Sequence, residues 1–129
     1  MPFVASLMAA TNNIQERLLK FASDSIEIAE SLPKTFAAMH ISSQLTRSVT
    51  SPAIHYGEAQ AAESRNDFIH KMKVCLKELR ECYNSHSLIL LQKWHDEDRV
   101  KIILKENNEL ISIFVASINT AQNKTKKTK

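Results

Sequence analysis

The protein has 129 residues, 43% of them hydrophobic, which suits one domain with a continuous core and excludes a disordered chain. One Gly and three Pro cannot supply the turns of a β-sandwich or barrel, nor the connections of an α/β fold, so an all-α fold remains. The formal charge of +3 comes from the last residues: without Lys124, Lys126, Lys127 and Lys129, 13 basic side chains face 14 acidic ones.

Four helices are predicted in chain order. The first spans about Thr11 to Leu32, where Ile14, Leu18, Phe21, Ser25, Ile28 and Leu32 recur at alternating steps of four and three and form one buried stripe. Pro33 closes it by disfavouring the α conformation at Leu32. Residues 3 to 10 extend this helix or lie against the bundle. The segment MPFVASLMAA has no basic leader region, and its apolar run is too short to span a membrane. The second helix covers about Lys34 to Ala62, with Phe36, Met39, Ile41, Leu45, Val49, Ala53 and Tyr56 on its apolar side.

The third helix runs from about Ser64 to Trp94. Ser64 and Asp67 resemble a capping box with Asp in place of Glu or Gln. Phe68, Met72, Cys75, Leu79, Cys82, His86 and Ile89 make one stripe, and Ile69, Leu76, Tyr83 and Leu90 a second. The mixed charges of HKMKVCLKELRE are expected on a solvated face. The acidic run HDED suits the N-terminus of a fourth helix, expected over Glu97 to Ala121. Its stripe is Val100, Leu104, Asn107, Ile111, Phe114 and Ile118, with Ile103 and Leu110 alongside. A lone amide such as Asn107 sets register or bonds a neighbouring helix.

Long helices with short connections pack as an antiparallel up-down-up-down four-helix bundle. The bundle is expected over residues 1–121, and residues 122–129 as a disordered lysine-rich tail. The doubled stripes place the third and fourth helices centrally, or else leave an apolar strip for a subunit interface.

The most unusual stretch is on the second helix. Gln44, Ser48, Ser51, His55 and Glu58 form a polar face at steps of four and three, with Arg47 at its margin. Pro52 removes a backbone donor and crowds the carbonyl of Ser48, so a bend is expected, with the Ser48 and Ser51 hydroxyls available to the freed carbonyl. The face is read as a polar seam toward solvent or another subunit, or as a ligand or nucleic-acid surface.

Catalytic and metal chemistry are not expected. His55 and Glu58 have acid–base spacing, but no nucleophile, oxyanion hole or second carboxylate accompanies them. Cys82 and His86 have ligand spacing, with His70 and His95 elsewhere, yet no second Cys/His pair completes a zinc site. Cys75 and Cys82 lie two turns apart, about 10 Å and beyond disulfide reach. Free thiols suit a reducing compartment, and a cytoplasmic protein is expected. No cofactor is expected. No phosphate loop, aromatic RNA platform or helix-turn-helix spacing is present.

The stretch QLTRSVTSPAIHYGEAQAAESRNDF resembles the second and third helices of the four-helix proteins encoded in intervening sequences of bacterial 23S rRNA genes. That family's pattern is close to Q-L-x-R-S-x-x-S-I-x-x-N-I-x-E-G, followed by Ser and Asp-Phe. Gln44, Leu45, Arg47, Ser48, Ser51, Glu58, Ser64, Asp67 and Phe68 fall on matching positions, and Glu78 on a later acidic one. FASDSIEIAESLP resembles the first helix, so the likeness covers roughly residues 14 to 118. Pro52, His55, Tyr56 and Ala59 depart from the pattern. The resemblance implies an antiparallel bundle assembled as a homopentamer, without enzymatic activity. It is also similar in fold to the accessory proteins of diversity-generating retroelements, which associate with a reverse transcriptase and nucleic acid. Two functions follow as expectations. One is an oligomer that associates with RNA or DNA by backbone charge, with Lys124, Lys126, Lys127 and Lys129 as contacts. The other is a structural or adaptor oligomer that binds another protein. Neither involves a membrane.

Overall fold

The computed structural model describes residues 13–127, with side chains to Asn123. The four elements are α1 (Ile14–Glu30), α2 (Phe36–Gln60), α3 (Arg65–Gln92) and α4 (Glu97–Lys127). No strand occurs among the described residues. Thr11, Asn12 and residues 3–10, expected to begin or flank α1, lie outside the described residues. At the other end α4 passes Ala121 and continues to Lys127. The segment expected to be a disordered tail is therefore helical backbone from residue 122 to 127.

Local chemistry sets the helix starts. The side chains of Asn13, Thr35 and Ser64 each accept a hydrogen bond from a backbone N–H three residues on, satisfying donors that no helical carbonyl can reach. Asp96 caps α4 through the Arg99 N–H at 3.1 Å. The end of α3 is unusual. Lys93 adopts φ 57°, ψ 38°, and the Trp94 N–H reaches back to the Ile89 carbonyl at 3.2 Å, a C-terminal cap that glycine normally occupies.

Successive helices pack together, α1 on α2, α2 on α3 and α3 on α4, while α1 and α4 meet only lightly. Contacts run in opposite directions along each pair. Gln15 reaches Ala53 while Ser42 reaches Ala29, and Arg17 meets Glu106 while Glu27 meets Arg99. The bundle is thus up and down, with the start of α2, the start of α4 and the ends of α1 and α3 at one end.

The core follows the stripes of α1 and α3. Leu18, Phe21, Ile28, Met72, Cys75, Leu79, Cys82 and Ile89 are all buried, each large apolar side chain contributing about 1.5–3 kcal/mol. Two expectations are corrected. On α4 the deep residues are Val100, Ile103, Leu110, Phe114 and Ile118, whereas Leu104 and Ile111 are only partly buried. On α2, Phe36 is 93% exposed and Met39 is also exposed, because both lie off the face on which Ala38, Leu45 and Val49 are buried.

The helix is unbroken across the buried Pro52. The Ser48 and Ser51 hydroxyls do not serve the carbonyl that Pro52 leaves free; they are engaged elsewhere, as described below. Thr46 and Thr50 instead bond the carbonyls of Ser42 and Thr46 at 2.8 and 2.9 Å.

Candidate functional site: the groove between the second and third helices

The polar face of α2 divides. Ser48 turns inward and is buried, Ser51 is half-buried, and Gln44, Arg47, His55 and Glu58 remain exposed. The Ser48 hydroxyl donates to Glu81 Oε2 across the helix pair at 3.3 Å. Ser51 Oγ lies 3.3 Å from His55 Nδ1 along α2. Gln44, Arg47 and Ser48 on α2 face Glu81, Asn84 and Ser85 on α3 across a groove of about 280 Å³.

On the α3 wall, Glu78 and Glu81 are half-buried rather than part of a solvated face, which corrects the reading of the mixed-charge run. Burial raises the Glu78 carboxyl above its usual range, and the charge of Glu81 and a hydrogen bond with it add to this. Lys77 and Arg47 oppose the shift. Two carboxyls this close favour sharing a proton. Glu58 and Glu78 also act on Cys75, whose thiol is pushed up to about 11, chiefly by burial. Cys82 is raised further by the same cause. Both thiols are therefore held protonated at neutral pH, the unreactive form.

A second polar group lies in the core. Asn107 Nδ2 donates to the Leu79 carbonyl at 3.0 Å, so its Oδ1 accepts from His86 Nδ1, also at 3.0 Å. His86 Nε2 is left as acceptor for the Ser25 hydroxyl at 3.1 Å. The fully buried imidazole is thus a neutral Nδ1–H tautomer with both nitrogens used, and desolvation lowers its pKa to about 4. The Phe21 ring meets it edge-on, with centroids 5.6 Å apart. Asn107 bonds a neighbouring helix, as its place on the stripe suggests. No group of three or more His, Cys, Asp or Glu poised for a metal occurs among the described residues.

Of the lysines named as nucleic-acid contacts, Lys124, Lys126 and Lys127 belong to the last turns of α4. Lys129 lies outside the described residues. Because α3 and α4 are antiparallel, these turns share an end with the start of α3. Arg65 and Phe68 of α3 and Thr120 and Ala121 of α4 line one open groove of about 730 Å³ there. The sequence reading missed Glu81, Asn84 and Ser85 as partners of the α2 face. The signal available was Glu78 and Glu81 beside a row of small hydroxyls on the preceding helix.

Four helices and no strand among the described residues, with a serine-lined helix pair facing paired carboxyls, are the class that fold and groove define. The profile of the 23S rRNA-intervening sequence proteins matches residues 10–116, and the chain belongs to that family. It is also similar to a solved Bacteroides thetaiotaomicron VPI-5482 protein of unknown function from the S23 ribosomal protein family. The two are 25% identical, with a TM-score of 0.75 over 82% of this chain and 98% of that one. No curated protein matches. No helix among the described residues is long and apolar enough to cross a membrane.

Proposed function

We propose that the protein is a non-catalytic cytoplasmic oligomer, a homopentamer of four-helix bundles, that associates with RNA through backbone charge. The observation that supports this reading is the cluster Lys124, Lys126, Lys127 and Lys129 in a chain that otherwise carries 13 basic against 14 acidic side chains. The helix α4 carries Lys124, Lys126 and Lys127 on regular backbone, beside the start of α3, where Arg65 and Lys73 are exposed. Four lysines within six residues attract phosphate by charge, and an oligomer multiplies that attraction.

The test is native mass spectrometry of protein purified without nuclease, followed by RNA titrations at several salt concentrations. The expected result is a multimer with added nucleic-acid mass. Deleting residues 124–129 removes four lysines and is expected to flatten the slope of log K against log salt by up to about 3 per bound chain. Binding that keeps its salt slope after the deletion would refute the tail's role.

A second reading, an adaptor oligomer with a protein partner, is favoured by the exposed apolar side chains at the other end of the bundle. Phe36 and Leu91 are 93% and 75% exposed. A clean multimer without nucleic acid would select it.

A further inference from the structure

We infer that the groove between α2 and α3 binds a free α-amino acid with an apolar side chain, its carboxylate on Arg47 and its ammonium on Glu81. The inference goes beyond the reading above and does not rest on it: the site is built from one chain and takes a small molecule.

The two helices build the groove as matched rungs. On α2, Ser48, Gln44, Ile41 and Ala37 recur at steps of four, three and four; on α3, Glu81, Ser85, Leu88 and Gln92 do the same in the opposite direction. Equal steps on antiparallel helices keep partners opposite one another. The hydrogen bond of Ser48 to Glu81 at 3.3 Å fixes the first rung. Gln44 then faces Ser85, and Ile41 faces Leu88, all lining the groove of about 280 Å³. Ile41 and Leu88 also line the next groove, of about 360 Å³, together with Phe36 and Trp94. The wall therefore grades from charged to apolar over seven residues, about 10 Å.

Its polar groups are uncommitted. Among the described residues Arg47 forms no ion pair, and the side chains of Gln44 and Asn84 make no hydrogen bond. Ser85 is the strongest sign of a ligand. It is only 7% exposed, lines the groove, and its hydroxyl has no partner among the described residues. Helical hydroxyls elsewhere in the chain bond the carbonyl four residues back, as Thr46, Thr50, Ser87 and Ser112 do. Ser85 does not, which leaves a buried hydroxyl for whatever enters the groove.

Charge selects the ligand. Arg47 and Glu81 line one groove without pairing with each other. A simple anion, or a phosphate of a nucleic acid, would be drawn by Arg47 and repelled by Glu81; a simple cation would meet the reverse. A zwitterion satisfies both by charge-assisted hydrogen bonds. Glu78 adds to the attraction, because two carboxyls close enough to share a proton are relieved by an incoming ammonium. With the ligand's α-carbon beside Gln44 and Ser85, its side chain runs three residues along the wall, about 5 Å, onto Ile41 and Leu88. That is the reach of a leucine side chain.

The test uses the full chain with L-leucine as probe. Isocaproate and isoamylamine are the controls; they keep the apolar part and lack the ammonium and the carboxylate respectively. Binding is read by isothermal titration calorimetry and by amide NMR shifts. Leucine is expected to bind, with shifts confined to residues 40–48 and 81–89, and each control to bind about tenfold more weakly. Ser85→Ala and Arg47→Gln are each expected to weaken leucine by about fivefold to tenfold with melting temperature unchanged. Absence of leucine binding, or shifts on another face, would overturn the site. Isocaproate or isoamylamine binding as tightly as leucine would overturn the zwitterion. Full leucine affinity in both variants would overturn the residue assignment. Each of these results leaves the RNA reading standing, because that reading is tested by the lysine deletion.

Discussion

The buried His86 makes the stability of the fold depend on pH in a calculable way. Its ordinary pKa is 6.5, and burial lowers the folded-state value to about 4. The folded state therefore binds fewer protons than the unfolded state at intermediate pH, and stability falls as pH drops below about 6.5. From these two values the loss is about 2 kcal/mol at pH 5 and about 3 kcal/mol at pH 4, relative to pH 8. Protonation also reverses a specific bond. Nε2 would become a donor, so the Ser25 hydroxyl now donating to it must accept instead and turn its own hydrogen elsewhere. The assay is urea unfolding of wild type and His86→Gln at pH 8, 6.5, 5 and 4. Surface carboxylates titrate alike in both chains and cancel in the difference. At pH 8 the wild type is expected to be the more stable, because Gln cannot span from Ser25 to Asn107 as the ring does. By pH 5 its advantage is expected to shrink by about 2 kcal/mol. A difference in stability independent of pH would refute the neutral, doubly bonded imidazole.

Lys93 holds a left-handed conformation that a side chain disfavours by about 1–2 kcal/mol. Lys93→Gly is expected to raise stability by about 1 kcal/mol in urea unfolding. The Cys75 thiol, at about 11 against an ordinary 9.0, is expected to be alkylated at pH 8 about a hundredfold more slowly in the native protein than in urea, from its thiolate fraction alone; equal rates would contradict its burial. Arg47 opposes the rise of the Glu78 carboxyl. Arg47→Ala is expected to push that pKa higher still, read by carboxyl carbon NMR.

The number and type of elements were legible in the sequence because they depend on neighbours in the chain. Heptad-spaced apolar residues from Leu18 to Ile28 and from Met72 to Ile89 can bury one side only as helices. Asn13, Thr35, Ser64 and Asp96 stand where helices begin, and their short polar side chains satisfy the first backbone donors. The family pattern from Gln44 to Phe68 was legible for the same reason, since it lies on contiguous residues.

Only tertiary packing decided which half of a doubled stripe points inward. Period alone cannot separate Ile103 and Leu110 from Leu104 and Ile111 on α4, because both sets share a helical repeat and differ by only about 100° of rotation. The site depended on packing even more. Ser48 meets Glu81 across 33 residues of chain and Ser25 meets His86 across 61. Such contacts exist because helix crossings bring hydroxyls to groups that would otherwise be buried without a partner. A buried polar atom takes its partner from whichever helix lies within hydrogen-bond reach, and that is a property of the assembled bundle, not of any one segment.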